Sequence, residues 1–105
     1  VEAPDEASHE GNAQLKIEAI EHFDELVVGT VLRGLRQFDE WRLLVTPDHM
    51  TSLGTRTHTD DEVPFAVTGT GIDRDNSQQY DERTASSSGW AFLEGHDLMA
   101  YFIKG

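Results

Sequence analysis

One stripe of apolar residues constrains the fold of this chain more than any other feature. Between Ala13 and Asp39, apolar side chains recur at every third or fourth position, which is the period of a helix with one packing face. The stripe consists of Leu15, Ala19, Ile20, Phe23, Val27, Val31, Leu35 and Phe38. Asn12 or Gly11 can cap the start of this helix. The sequence therefore predicts one long, one-sided helix.

Short apolar runs on either side of this helix predict strands. Trp41–Thr46 reads as a short and largely buried strand, which Pro47 ends because proline has no backbone donor for a sheet. Val63–Thr68 reads as a second strand. We also expect a third strand to end near Val1 to Ala3. Helix and strand in this order indicate part of an α/β layered domain.

The remaining segments are predicted to be mostly polar connections. Asp48–Glu62 is rich in His, Asp and Thr and is predicted to be a loop. Ile72–Ser88 is predicted to be a long polar excursion outside the core. A final helix is expected from about Gly95 to Ile103, and Trp41 and Trp90 are expected to anchor a core or a domain interface.

The charge of the chain excludes several classes of partner. Eight Lys and Arg stand against 20 Asp and Glu among 105 residues, which gives a net charge of −12. Binding to a nucleic-acid backbone or to an anionic membrane surface needs positive charge, so we expect no nucleic acid and no membrane as partner. The chain has no Cys, which excludes thiolate chemistry and fits a reducing compartment such as the cytoplasm.

Three groups of His and Asp are the candidates for chemistry. Asp5 and His9 stand four residues apart, Asp48 and His49 follow the first predicted strand, and His58 lies nine residues beyond His49. Ligands of open α/β sheets gather beyond the carboxyl ends of strands, which is where these residues are expected. Carboxylate and imidazole donors suit Mn²⁺, Zn²⁺ or another divalent ion. The spacing also permits a plain interpretation, in which the first pair caps a helix and the second forms a turn.

Four motifs in one order favour the metal interpretation. They are Val-Glu-Ala-Pro-Asp-Glu-Ala-Ser-His-Glu-Gly at residues 1–11, Pro-Asp-His at 47–49, Arg-Thr-His-Thr at 56–59 and Val-Pro-Phe at 63–65. In this order the chain resembles the C-terminal part of the cofactor-independent phosphoglycerate mutases of the archaeal type. That family belongs to the alkaline phosphatase superfamily, so the resemblance implies a C-terminal fragment of an α/β/α three-layer metal-binding domain over residues 1–105.

The resemblance also implies a role for each candidate residue. Asp5, His9 and His58 would bind one divalent ion, and Asp48 and His49 would contribute to a second. Mn²⁺ or Zn²⁺ is expected, with Mg²⁺ as a further candidate. The nucleophilic Ser and one further Asp of the family lie in its N-terminal part, which this chain lacks.

The expected activity belongs to a longer parent protein. Such a parent would interconvert 3-phosphoglycerate and 2-phosphoglycerate in the cytoplasm through a phosphoserine intermediate, with the missing N-terminal part and the phosphoglycerate as partners. The chain alone is expected to be inactive and to favour self-association. A related phosphotransferase of the homoserine kinase type, a phosphatase of the same superfamily, or a non-catalytic acidic interaction domain are the alternatives.

Overall fold

A computed structural model describes residues 1–59 and 62–104, with the backbone alone for His58 and Thr59. The chain divides into two compact units. We call Val1–Phe38 with His49–Glu62 the helical unit, and Asp39–Asp48 with Val63–Gly105 the aromatic unit. Both contain helices and strands, so the predicted α/β class is confirmed.

The helical unit begins with a helix that was not predicted. Helix α1 spans Ala3–His9, so Ala3 is helical, and a strand that ends before it stays a prediction. Local chemistry explains the helix, because Pro4 lies in its first turn together with the acidic Asp5 and Glu6. Proline fits the first turn of a helix and acidic side chains are favourable at its positive end.

The long predicted helix is confirmed, although it ends early. Helix α2 spans Ala13–His22, a π-helical stretch covers Phe23–Val28, and α3 spans Gly29–Leu35. The Asn12 side chain caps α2, because its Oδ1 accepts the Leu15 N–H at 2.9 Å. After Leu35 the backbone bonds shorten to three-residue turns, and Asp39 and Glu40 follow. Acidic residues are unfavourable at the negative end of a helix, which agrees with this early end.

The apolar stripe of this helix is largely exposed. No residue between Ala13 and Leu35, all of which are described, is buried. Leu15 is 41% exposed, and Ile20 is 49% exposed. Among the side chains described in the helical unit, the buried ones lie elsewhere: they are Ala7 and Ser8 on α1 and Thr51 beyond the long helix.

The predicted polar loop contains a small β-hairpin. Strand β2 (Met50–Thr51) pairs antiparallel with β3 (His58–Thr59), and Thr51 stands opposite His58 in the register. Between the two strands, Arg56 adopts a left-handed backbone conformation with φ 56°. Non-glycine residues rarely take this conformation, so the surrounding turn must stabilise it. The conformation in turn sets the direction of the Arg56 carbonyl.

The aromatic unit contains the two remaining strands. Strand β1 (Arg42–Val45) pairs antiparallel with β4 (Ala66–Gly69), with Val45 opposite Ala66. The first strand is confirmed in place but is only half-buried, and the second begins three residues later than predicted. Pro64 has no backbone N–H to donate to a sheet, which agrees with the later start of this strand. The Pro64 carbonyl accepts a hydrogen bond from the Tyr80 hydroxyl at 3.0 Å.

Two helices complete the aromatic unit. Helix α4 (Glu82–Ser87) lies inside the predicted polar excursion and was not expected, and α5 (Gly95–Lys104) confirms the predicted final helix. Arg42 satisfies the end of α5, since its Nη1 donates to the Phe102 and Ile103 carbonyls at 2.8 and 3.1 Å. Across residues 1–59 and 62–104, no helix has the length and apolar character that crossing a membrane requires.

An aromatic cluster packs within this unit. It consists of Phe65, Trp90, Phe92 and Tyr101. The Trp90 ring centroid lies 5.0 Å from that of Phe65 and 5.2 Å from that of Tyr101, both in edge-to-face geometry. Such contacts are favourable beyond the apolar area they bury. Trp90 thus packs in an aromatic cluster while 41% exposed, and its role as a core anchor stays a prediction.

Candidate metal centre

The first candidate pair lies on one face of α1. A spacing of four residues brings two side chains to the same side of a helix. Accordingly, His9 Nε2 lies 3.2 Å from Asp5 Oδ2. Both side chains are more than a third exposed, at 41% for His9 and 35% for Asp5. The structure therefore brings this predicted pair together at a solvent-accessible position.

The backbone of Arg56 holds the other side of the His9 ring. His9 Nδ1 lies 2.7 Å from the Arg56 carbonyl oxygen, which can only accept a hydrogen bond. Nδ1 is therefore the donor, and in the neutral ring Nε2 carries the lone pair. Gly11, with φ +68°, turns the chain after α1 and leaves the space that the Arg56 guanidinium fills.

Thr51 connects the pair on α1 to the second predicted group. Its hydroxyl donates to Asp5 Oδ1 at 2.8 Å, and the same oxygen lies 3.1 Å from His49 Nδ1. Thr51 is only 7% exposed, and its backbone carbonyl accepts from Lys16 Nζ at 3.1 Å. One hydroxyl thus contacts a member of each of the first two predicted groups.

Small residues of α1 permit this close approach. Ala7 and Ser8 are 0% and 1% exposed. The Ser8 hydroxyl donates to the Pro4 carbonyl at 2.9 Å, so it bonds back to its own helix. Because the buried side of α1 is made of such small side chains, the helix can contact β2 closely.

The structure describes the other two candidates less fully. Asp48 belongs to the aromatic unit, directly before His49 at the start of the second segment of the helical unit. The backbone of His58 pairs with Thr51 in the hairpin, while its side chain lies outside the described part. Among the side chains that are described, no three His, Asp or Glu are grouped closely enough to hold a metal ion. The metal-binding roles of the five residues stay predictions.

The donor atoms that are described fit a divalent cation. With its ring hydrogen on Nδ1, neutral His9 presents an acceptor nitrogen toward an acceptor carboxylate oxygen at 3.2 Å. Two acceptors at this distance repel each other unless a proton or a cation lies between them. Bonds of about 2.1 Å to one ion at a near-tetrahedral angle set two ligand atoms roughly 3.4 Å apart. The separation therefore suits two ligands of one ion, as it also suits an ion pair between protonated His9 and Asp5.

Two supporting residues escaped the sequence-based prediction. His49 and Thr51 stand two apart, which places them on the same face of an extended segment, so this alternation was a usable signal for Thr51. Arg56 lay inside a motif, but its contribution is its carbonyl and its left-handed backbone, which residue type does not reveal.

Comparison with known protein families and sequences gives consistent matches. A family model described as the metalloenzyme superfamily matches residues 1–104. The chain is 48% identical to the 2,3-bisphosphoglycerate-independent phosphoglycerate mutase of Methanothrix thermoacetophila, over 100% of this chain and 27% of that protein. It is 46% identical to a probable enzyme of the same name from Geobacter sulfurreducens, over 98% of this chain and 26% of that protein. The chain thus spans about a quarter of the length of these curated relatives.

A solved structure gives the same picture for the fold. The PH0037 protein from Pyrococcus horikoshii matches with a TM-score of 0.84 and 30% sequence identity. The match covers 95% of this chain and 30% of that protein. Nearly all of the chain therefore has a counterpart of the same fold within a longer polypeptide.

Proposed function

The chain belongs to the metalloenzyme superfamily, and from that premise we propose that it is the metal-holding C-terminal part of a phosphoglycerate mutase. The full protein would interconvert 3-phosphoglycerate and 2-phosphoglycerate without bisphosphoglycerate, through a phosphoserine intermediate. The single observation that carries the proposal is the Asp5–His9 pair, in which His9 Nε2 and Asp5 Oδ2 lie 3.2 Å apart on an exposed face of α1. The names of the relatives at 48% and 46% identity support the choice of reaction.

Each of the five candidate residues has a role in this proposal. Asp5 and His9, with His58, would hold one divalent ion, and Asp48 and His49 would contribute to a second. Divalent ions bound there would supply positive charge for the phosphoryl oxygens and activate an attacking hydroxyl. The protein has a net charge of −12, so its own side chains offer little attraction to an acidic substrate. The number of ions and their identity as Mn²⁺, Zn²⁺ or Mg²⁺ are part of the proposal.

The residues on this chain would orient ligands and would not react covalently themselves. Thr51 holds Asp5 from one oxygen, leaving Oδ2 directed toward His9. The Arg56 carbonyl holds the His9 ring from Nδ1. We assign the nucleophilic Ser to the part of the relatives that this chain does not span. Cytoplasmic location and a role in glycolysis follow from the proposed reaction and are proposed with it.

Calorimetric titration with Mn²⁺ and with Zn²⁺ tests the metal site. The wild-type chain is expected to bind, and His9→Gln and Asp5→Asn are expected to weaken binding strongly because each removes a donor atom. The matched control is His96→Gln, since His96 and Asp97 form a second pair at 3.4 Å whose side chains are 78% and 57% exposed. Equal binding by His9→Gln and the wild type would contradict the proposed site.

A coupled assay with 3-phosphoglycerate and added Mn²⁺ tests the reaction. The 105-residue chain is expected to give no turnover, because the motifs that it carries hold no nucleophilic hydroxyl. The longer parent polypeptide is expected to be active. Turnover of homoserine with a nucleotide, or of a simple phosphate ester, by the parent would instead support the related kinase or phosphatase.

A further inference from the structure

The hydrogen bonds around Thr51 determine more than the position of one carboxylate. A threonine hydroxyl has one hydrogen to donate, and an ionised carboxylate can only accept. The contact from Thr51 Oγ1 to Asp5 Oδ1 at 2.8 Å therefore uses that hydrogen. The contact of 3.1 Å between the same oxygen and His49 Nδ1 must then be donated by the imidazole.

A second contact of His49 leads to the same assignment. His49 Nδ1 also lies 3.3 Å from the Met50 carbonyl oxygen, which accepts hydrogen bonds only. If the ring hydrogen were on Nε2, the Nδ1 lone pair would face this carbonyl. The Thr51 hydrogen would then be shared between His49 and Asp5. The tautomer with hydrogen on Nδ1 satisfies both contacts, and it leaves Nε2 as the acceptor atom of His49.

His9 reaches the same tautomer by a different route. Its Nδ1 donates to the Arg56 carbonyl at 2.7 Å, and the left-handed backbone of Arg56 directs that carbonyl toward the ring. Hydrogen bonds from the far nitrogen of a ligating imidazole commonly fix its tautomer and raise its basicity. A contact with a backbone carbonyl for His9 and a contact with a side-chain hydroxyl for His49 thus leave the same atom, Nε2, as the acceptor in both rings.

We propose that Thr51 is a positioning residue that couples the two halves of the metal centre, with both imidazoles presenting Nε2. Through one hydroxyl it orients Asp5 of the first group and sets the tautomer of His49 of the second. The coupling to metal rests on the proposed function, whereas the two tautomers do not. A change at Thr51 is therefore expected to affect both groups, although Thr51 itself is no ligand.

The tautomers are measurable without metal. Long-range ¹H–¹⁵N spectra of the full labelled chain, at a mildly alkaline pH where imidazoles are neutral, are expected to show hydrogen on Nδ1 for both His9 and His49. The exposed His22 serves as the internal reference. Hydrogen on Nε2 of His49 in the wild-type chain would overturn the proposal, whatever the metal affinity.

Variants of Thr51 separate positioning from folding. In Thr51→Val, His49 is expected to lose its single tautomer, and Mn²⁺ and Zn²⁺ affinity is expected to fall by about 10- to 100-fold. Thr51→Ser keeps the hydroxyl and is expected to restore both. Because Arg56 sets the His9 tautomer, an unchanged His9 signal in Thr51→Val reports that the unit is still folded.

The remaining outcomes distinguish this inference from the proposed function. An unchanged His49 tautomer and unchanged affinity in Thr51→Val would overturn the positioning role, and the metal centre would stand. A wild-type chain with the expected tautomers and their dependence on Thr51, but without Mn²⁺ or Zn²⁺ binding, would support the hydrogen-bond assignment and contradict the proposed function. If Thr51→Val does not fold, the wild-type spectrum and Thr51→Ser still decide between these results.

Discussion

The helical unit and the aromatic unit use opposite means to hold their shape. In the described part of the helical unit the most buried residues are small or polar, namely Ala7, Ser8 and Thr51, and short hydrogen bonds connect α1 to the hairpin. In the aromatic unit, the rings of Phe65 and Trp90 pack with a centroid separation of 5.0 Å. Directional hydrogen bonds thus characterise the helical unit, and packing of aromatic rings characterises the aromatic unit.

This difference bears on where metal ligands can be positioned accurately. Hydrogen bonds specify which atom of a ring or carboxylate faces which partner, as they do for His9 and Asp5. Ring packing stabilises a region but specifies orientation only loosely. Four of the five proposed ligands lie in the helical unit, and Asp48 is the last residue before its second segment.

The largest effect on stability is expected from Trp90→Ala. The variant removes a ring that contacts three others and should destabilise the aromatic unit by about 3 kcal/mol, the low end of the range for such truncations because Trp90 is 41% exposed. Urea unfolding followed by far-ultraviolet circular dichroism measures the loss, and Trp90→Phe is the control. The His9 tautomer should survive the change. If the His9 tautomer were lost when the aromatic unit unfolds, the stability of the helical unit would depend on the aromatic unit.

A smaller effect is expected from enlarging the buried face of α1. Ala7 is 0% exposed, so Ala7→Leu should destabilise the helical unit by about 2 kcal/mol through overpacking. Ala100→Leu on the exposed side of α5 is the matched control, with an expected change within about 0.5 kcal/mol. Thermal unfolding of the two variants provides the measurement. Similar losses in both would show that α1 is not the close-packed surface described above.

The smallest effect concerns two helix caps and pH. Asp81 Oδ1 accepts the Thr84 N–H at 2.7 Å, and the hydrogen bonds from the Thr84 backbone and side chain hold the pKa of Asp81 below its ordinary 3.8. Because this pKa is lower in the folded state, the stabilisation is present above pH 3.8 and is lost as pH falls through the folded-state pKa. Asn12 caps α2 in the same way but does not titrate.

Amide chemical shifts across an acid titration compare these two caps. The Thr84 amide is expected to move as Asp81 becomes protonated, whereas the Leu15 amide should stay nearly constant. Asp81→Asn should make the start of α4 as insensitive to acid as that of α2. A Thr84 amide that still moves in this variant would assign the acid response to another group.

The parts of the fold that were predictable depend on local signals. The Asn12 cap and the apolar period predicted the long helix, and Pro47 marked the end of the first strand. Helix α1 had local signals too, in Pro4 and the acidic residues after it. It was not predicted, because a helix of seven residues is too short to show the apolar period that identified the long helix.

The site itself was only partly accessible to sequence reasoning. The pairing of Asp5 with His9 follows from a spacing of four, once that segment is recognised as a helix. The contact between Thr51 and Asp5 joins residues 46 positions apart, and the left-handed Arg56 has no signature in residue type. Such features arise from tertiary structure, so no local pattern encodes them.

Gly11 has a consequence for how mutational tolerance in this chain should be read. It carries no donor atom, yet any side chain there would meet the Arg56 guanidinium on a backbone with φ +68°. A library screened for metal retention would score position 11 as intolerant, because a side chain is strained at this φ and must also displace the guanidinium of Arg56, whose carbonyl contacts the His9 ring. Intolerance at Gly11 would then report a residue that supports a proposed ligand. A saturation map alone would not distinguish such a residue from the ligands themselves.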